Sequence, residues 1–184
     1  PVAKGLEPPY ERQGLARAVL AEPGQAQLLV FERGGQRRAL LRDQMVYHHV
    51  AQGQVGGEPT LIAFCGICHS GMGFSPIVDG EERHFSAGGF YDGIVLLIDD
   101  ETRSYWNHIT GHAVHGPSAG AQLEPFGVDI TTAAAELKNG NDPLIWAGKP
   151  TLFGHIMAFK LRRSQRSNGF MPFFFGRTMA GVDP

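Results

Sequence analysis

Short apolar runs separated by glycine turns recur along the chain, and that pattern predicts a molecule built mostly of strands. Gln27-Leu28-Leu29-Val30-Phe31-Glu32 reads as a strand, Gly34-Gly35 as a hairpin turn, and Arg38-Ala39-Leu40-Leu41 as the returning strand. Thr60-Leu61-Ile62-Ala63-Phe64 is an apolar, partly β-branched run, the signature of a buried strand. Turn residues Val55-Gly56-Gly57-Glu58-Pro59 precede it. Gly71 and Gly73, alternating with Met72 and Phe74, follow it and suggest a turn into a further strand. More strands are expected at His84 to Ala87, Ile94 to Ile98 and Ser104 to Asn107, linked by glycine or acidic turns.

Helical pattern is sparse. Glu11 to Leu20 fits one short helix, and Asp43 to Val50 fits either a helix or a strand. Thr131-Thr132 before Ala133 to Lys138, with Asn139-Gly140 behind, reads as a capped helix with its stop. The expected fold is therefore α+β and β-rich, a single domain of short, mostly antiparallel strands with minor helices. Residues 1–25 form an irregular lead-in, 26–160 the core domain and 161–184 a C-terminal extension. Phe170-Met171-Pro172-Phe173-Phe174-Phe175 in that extension is too apolar for a free tail. It is expected to pack on the core or to join copies into a homo-oligomer.

Composition narrows the function classes. Apolar residues make up 42% of 184, enough for a core, and 16 Lys plus Arg stand against 18 Asp plus Glu. A net charge of -2 leaves no basic face of the kind nucleic acid requires, so no nucleic-acid partner is expected. No run of about eighteen apolar residues occurs, so no membrane span is expected. The sequence opens on Pro1, which is compatible with a removed leader and with export to the periplasm or beyond.

The chemistry concentrates where the buried strand ends. Phe64-Cys65-Gly66-Ile67-Cys68-His69-Ser70 holds both cysteines of the chain, two residues apart, with a histidine directly after the second. The surrounding sequence resembles the prokaryotic domains of unknown function numbered 3179. The likeness rests on Met45 to Val50 leading to Gly56-Gly57-Glu58-Pro59-Thr60, on Phe64 to Cys68 with Phe74 and Val78-Asp79-Gly80, and on a third block. That block runs from Leu97-Ile98-Asp99-Asp100-Glu101-Thr102 through Tyr105-Trp106 and Ile109-Thr110-Gly111 to Gly116-Pro117 and Gly120. The resemblance spans about residues 37 to 124 and implies a shared fold without naming an activity. In the family pattern an acidic residue stands where His49 is found here, and a histidine at position 69 is often missing.

Four readings of Cys65-x-x-Cys68-His69 stand side by side. A mononuclear zinc or copper site would take the two thiolates with imidazoles from His69, His108, His112 or His115. A c-type haem would be attached through Cys65 and Cys68, with His69 as axial ligand and Met72 as a soft partner. A redox-active or structural disulfide, the latter in a non-catalytic binding domain whose cysteines only staple a loop, is the third reading, and a pair of inert buried thiols the fourth. The geometric expectation is that both cysteines face one cavity with His69 or the segment His108–His115, brought together at one sheet edge. Asp92, Asp99, Asp100 and Glu101 are acidic enough for a hard-cation loop, but they lack calcium-loop spacing and read as a solvated turn.

Overall fold

The structure is a computed structural model describing residues 11–13 and 26–147. In chain order come β1 (Glu11–Gln13), β2 (Gln27–Arg33), β3 (Gln36–Leu41), α1 (Arg42–His48), β4 (Val50–Val55), β5 (Glu58–Cys65) and β6 (Ser70–Ser75). Next are β7 (Ile77–Val78), β8 (Glu81–Glu82), β9 (Phe85–Tyr91), β10 (Ile94–Asp99), β11 (Tyr105–Asn107) and β12 (Ala113–His115). Last are β13 (Glu124–Phe126), β14 (Asp129–Thr132), α2 (Ala133–Lys138) and β15 (Leu144–Ala147). The fold is α+β and strand-rich, with two minor helices among the described residues.

The strands assemble into three main sheets, ordered β1-β15-β3-β2-β14, β13-β6-β5-β4 and β12-β11-β10-β9, with β7-β8 as a small ribbon. The sheet containing β5 is the middle layer, and the alternation of side chains along β5 shows why. Leu61, Ala63 and Cys65 point into one core with Val95, Leu97 and Trp106. Ile62 and Phe64 point the other way, into a second core with Leu29, Phe31, Leu40 and Met45. A near-continuous apolar run suits a strand buried on both faces: Leu61 through Cys65 are all fully buried, as is Thr60, whose hydroxyl is satisfied by the Glu58 carbonyl oxygen. Each large side chain so placed contributes on the order of 2 kcal/mol by area.

The outer faces are closed by short devices. α2 packs Ala133 against Leu28, Val30, Ala39 and Ile145. The Thr132 hydroxyl caps it by accepting from Ala135 N at 3.2 Å, and Arg37 holds Glu136 at 3.0 Å. The segment that fitted either helix or strand is the helix α1, which buries Met45 completely. α1 stops at His49, whose φ of 62 turns the chain into β4.

Two hairpin turns meet where the outer and middle sheets come together. Gly34 has φ +52, and a Cβ there would lie 2.5 Å from the carbonyl oxygen of Gly56. Gly34→Ala is expected to cost roughly 1–3 kcal/mol, from backbone strain and from forcing the turns apart. Gly35→Ala, whose Cβ would meet nothing within 4 Å, is expected to cost less. Thermal melts of the two variants compare them, and equal losses would contradict this packing.

Two expectations are corrected. Glu11–Gln13 is not the start of a helix but the edge strand β1, paired antiparallel with β15. A short helix is marginal by itself, and the open edge of β15 offers these residues hydrogen bonds that no local pattern reveals. Asp99 does not lie on a solvated turn: its side chain is fully buried. It accepts from Trp106 Nε1 at 2.8 Å, from Thr102 Oγ1 at 2.7 and 2.8 Å, and from the Thr102 and Ser104 amides. Burial alone would raise its pKa, but the bonds from Trp106, Thr102 and Ser104 outweigh it and hold the carboxyl below the ordinary range. The 161–184 extension, with its apolar Phe170–Phe175 run, lies outside the described residues.

Candidate functional site

β5 and β6 form a hairpin in which Cys65 lies directly across from Ser70, so Gly66 to His69 make up the connecting turn. Because β5 alternates, Cys65 inherits the inward direction of Leu61 and Ala63 and is fully buried. Cys68, three residues on in the turn, is exposed. The two are joined as a disulfide, with Cα atoms 5.6 Å apart. The Cys68 amide points at the Cys65 sulfur, with N to Sγ 3.3 Å. One half of the pair is thus sealed and amide-bonded, and the other faces solvent.

The neighbouring sheet brings a histidine to this turn. β11 places Trp106 inward in the first core, and His108, at the same parity just past the strand end, is also fully buried. Its Nδ1 lies 2.7 Å from the carbonyl oxygen of Val95 on β10. A carbonyl can only accept, so Nδ1 carries the proton and Nε2 presents its lone pair. That Nε2 is 3.0 Å from the Ser70 hydroxyl and 3.7 Å from the Cys68 sulfur. Ser70 Oγ lies 3.2 Å from the same sulfur. Burial pushes the His108 pKa down, the Val95 carbonyl only partly offsets this, and nearby His49 lowers it further. His108 is therefore a neutral imidazole with its basic nitrogen turned to the disulfide.

The remaining sequence candidates sit elsewhere. His69 has φ 50 and is exposed, and its Nδ1 accepts from Arg42 at 2.8 Å. The Arg42 guanidinium also lies 5.9 Å from the Phe64 ring centroid. Met72 is half-buried on β6 against the first core. His112 follows Gly111, whose φ is +74, and is exposed, as is His115, which lies beside the Tyr105 ring. Among the described residues, the group whose ligating atoms converge is Cys65, Cys68 and His108, all within 4.8 Å of one another. Of the expected imidazoles, the structure brings His108 to the cysteines and leaves His69, His112 and His115 outside that group.

Nothing in the spacing or residue pattern marks Ser70, the Val95 carbonyl or Arg42. The parity of Trp106 and His108 was a usable signal for His108, because a buried tryptophan two residues earlier sets the inward face.

His49 lies at the edge of this region. Its Nδ1 is 3.1 Å from the Phe64 carbonyl oxygen, and burial, partly offset by that bond, lowers its pKa.

No helix among the described residues is long and apolar enough to cross a membrane. No curated protein and no solved structure matches this chain. A family model described as "Protein of unknown function (DUF3179)" matches residues 7–151, a span that takes in every strand and both helices described above. By that match over most of its length, the chain belongs to the DUF3179 family of proteins of unknown function.

Proposed function

We propose that Cys65, Cys68 and His108 form a redox-active dithiol–disulfide centre that exchanges with thiols or disulfides of a partner. The observation that carries this reading is the asymmetry of the pair. Cys68 is exposed and lies 3.7 Å from the unprotonated Nε2 of His108, whereas Cys65 is fully buried beneath an amide donor. An incoming thiolate reaches only Cys68. Its attack forms a mixed disulfide at Cys68 and breaks the bond to Cys65, which leaves as a thiolate favoured by the Cys68 N–H. A second thiol attacks the partner sulfur and releases Cys68. The two protons of the reacting thiols end on the protein's dithiol, and the partner leaves as a disulfide, so two electrons are transferred. In the reverse direction the Cys68 thiol gives its proton to His108 Nε2 as it attacks.

A second use of the same atoms is metal ligation. Two sulfurs and an imidazole within 4.8 Å make a donor set suited to zinc or copper once the sulfurs are thiolates. The c-type haem reading draws less support. Cys65 is fully buried and joined to Cys68, so its sulfur offers no exposed thiol for a thioether, and His69 is bonded to Arg42.

Single-cysteine variants test the exchange chemistry. Reduced Cys65→Ser, mixed with glutathione disulfide, is expected to gain one glutathione by mass. Reduced Cys68→Ser is expected to stay largely unmodified, because its remaining thiol is sealed. Equal labelling of both variants while they remain folded would contradict the assignment.

A further inference from the structure

We infer that the disulfide is the lock of a metal site: reduction opens it to one thiophilic closed-shell cation, copper(I) or zinc(II), and oxidation expels that ion. This inference rests on the pair being reducible, as proposed above, and adds what the reduced state does.

The ligand geometry is already present in the oxidised molecule. Metal–sulfur bonds of about 2.3 Å and metal–nitrogen bonds of about 2.0–2.1 Å set sulfur and nitrogen roughly 3.5–3.8 Å apart around one ion. The Cys68 sulfur and His108 Nε2 stand at 3.7 Å, so one edge of the coordination polyhedron exists before any ion arrives. Cys65 Sγ completes the group within 4.8 Å. Only the sulfur–sulfur bond holds the two cysteines too close, and breaking it lets them separate within a turn that includes Gly66.

The surrounding contacts are those a metal ligand needs. Val95 fixes the His108 ring by its Nδ1–H at 2.7 Å, which leaves Nε2 as the donor and sets the ring plane. The Cys68 amide is aimed at Cys65 Sγ, the hydrogen bond that steadies a ligating thiolate. With three protein donors, copper(I) fills a trigonal site, whereas zinc takes a water as fourth ligand through the open side at Cys68.

The two states exclude one another because they use the same sulfur electrons. A dithiol reductant converts the disulfide to two thiols and becomes a disulfide itself. The ion then displaces the two thiol protons to form two metal–thiolate bonds. A disulfide oxidant removes the two electrons, re-forms the Cys65–Cys68 bond and frees the ion.

The full chain tests this anaerobically after reduction by a phosphine, which supplies no competing thiol. Copper(I) is titrated against a bicinchoninate competitor, and zinc against a chromophoric chelator. The reduced protein is expected to take one equivalent of copper(I) or zinc, the disulfide form less than about a tenth as much, and diamide to release the ion. His108→Ala is expected to weaken binding about tenfold or more, whereas His112→Ala and His115→Ala keep the wild-type affinity. X-ray absorption of the loaded wild-type protein, which needs no variant, is expected to show two sulfur neighbours and one imidazole nitrogen. Reduced protein that binds neither ion, or binding equal in both redox states, would overturn the lock while leaving thiol exchange intact. A disulfide that resists reduction in the folded protein would overturn both.

Discussion

Asp99→Ala is expected to be the most damaging single substitution among the described residues, costing about 3 kcal/mol or more and leaving the protein partly unfolded at ambient temperature. The carboxylate is fully buried and answers four groups: the Trp106 indole, the Thr102 hydroxyl, and the Thr102 and Ser104 amides. Removing it orphans an indole N–H in the centre of the first core, where Trp106 is fully buried against Phe85. Each buried donor left without a partner costs about 1–3 kcal/mol. Ser104 and Ser118 also bond the Thr102 hydroxyl, at 2.6 and 3.1 Å, so the loop would lose its order together with the carboxylate. Denaturant unfolding followed by Trp fluorescence measures the loss, and a cost under about 1 kcal/mol would contradict the reading of Asp99 as a structural hub.

The same group sets part of the pH dependence. Its folded pKa lies below the ordinary value of about 3.9. Its contribution is therefore complete above that ordinary value and is lost as pH falls through the lower, folded value. The Asp99→Ala variant is expected to show a shallower acid-unfolding curve than the wild type in that window.

The second large effect is expected at His108. With the imidazole gone, Cys68 has no base at 3.7 Å, and exchange with glutathione disulfide by the reduced protein should slow about a hundredfold. His108→Ala also empties a buried position and leaves the Val95 carbonyl unanswered, so a loss of stability is expected beside the loss of rate. The two are separable. Imidazole added to the buffer should restore part of the exchange rate without restoring the melting temperature. A variant that is folded and exchanges at the wild-type rate would remove His108 from the chemistry.

How much of this was legible in the sequence varied with the range of the interaction. The hairpin at Gly34-Gly35, the buried run Leu61 to Phe64 and the capped helix after Thr132 are local patterns, and the structure contains all three. The strand at Glu11–Gln13 was not legible, because it exists by pairing with residues far along the chain. The dithiol stood out because both cysteines lie in one turn. Its partner stood out less: His108, His112 and His115 fall in one short stretch, and the parity that singles out His108 counts only once Trp106 is placed in the core. What separates them is a carbonyl on β10 that takes one of them inside, and a positive φ at Gly111 after which the other two face out. Likewise a left-handed backbone at His69 turns that ring toward Arg42, which spacing alone does not disclose.

The most direct test of a redox-active centre is equilibration of the wild-type protein in a graded series of glutathione redox buffers, followed by alkylation and intact-mass measurement. A redox-active centre gives a reversible, two-electron transition between a form with no free thiol and a form with both Cys65 and Cys68 alkylated after denaturation. The melting curve should stay cooperative at both ends. A pair that remains oxidised across the whole series, and yields only when the protein unfolds, would make the disulfide a structural staple and not a redox centre.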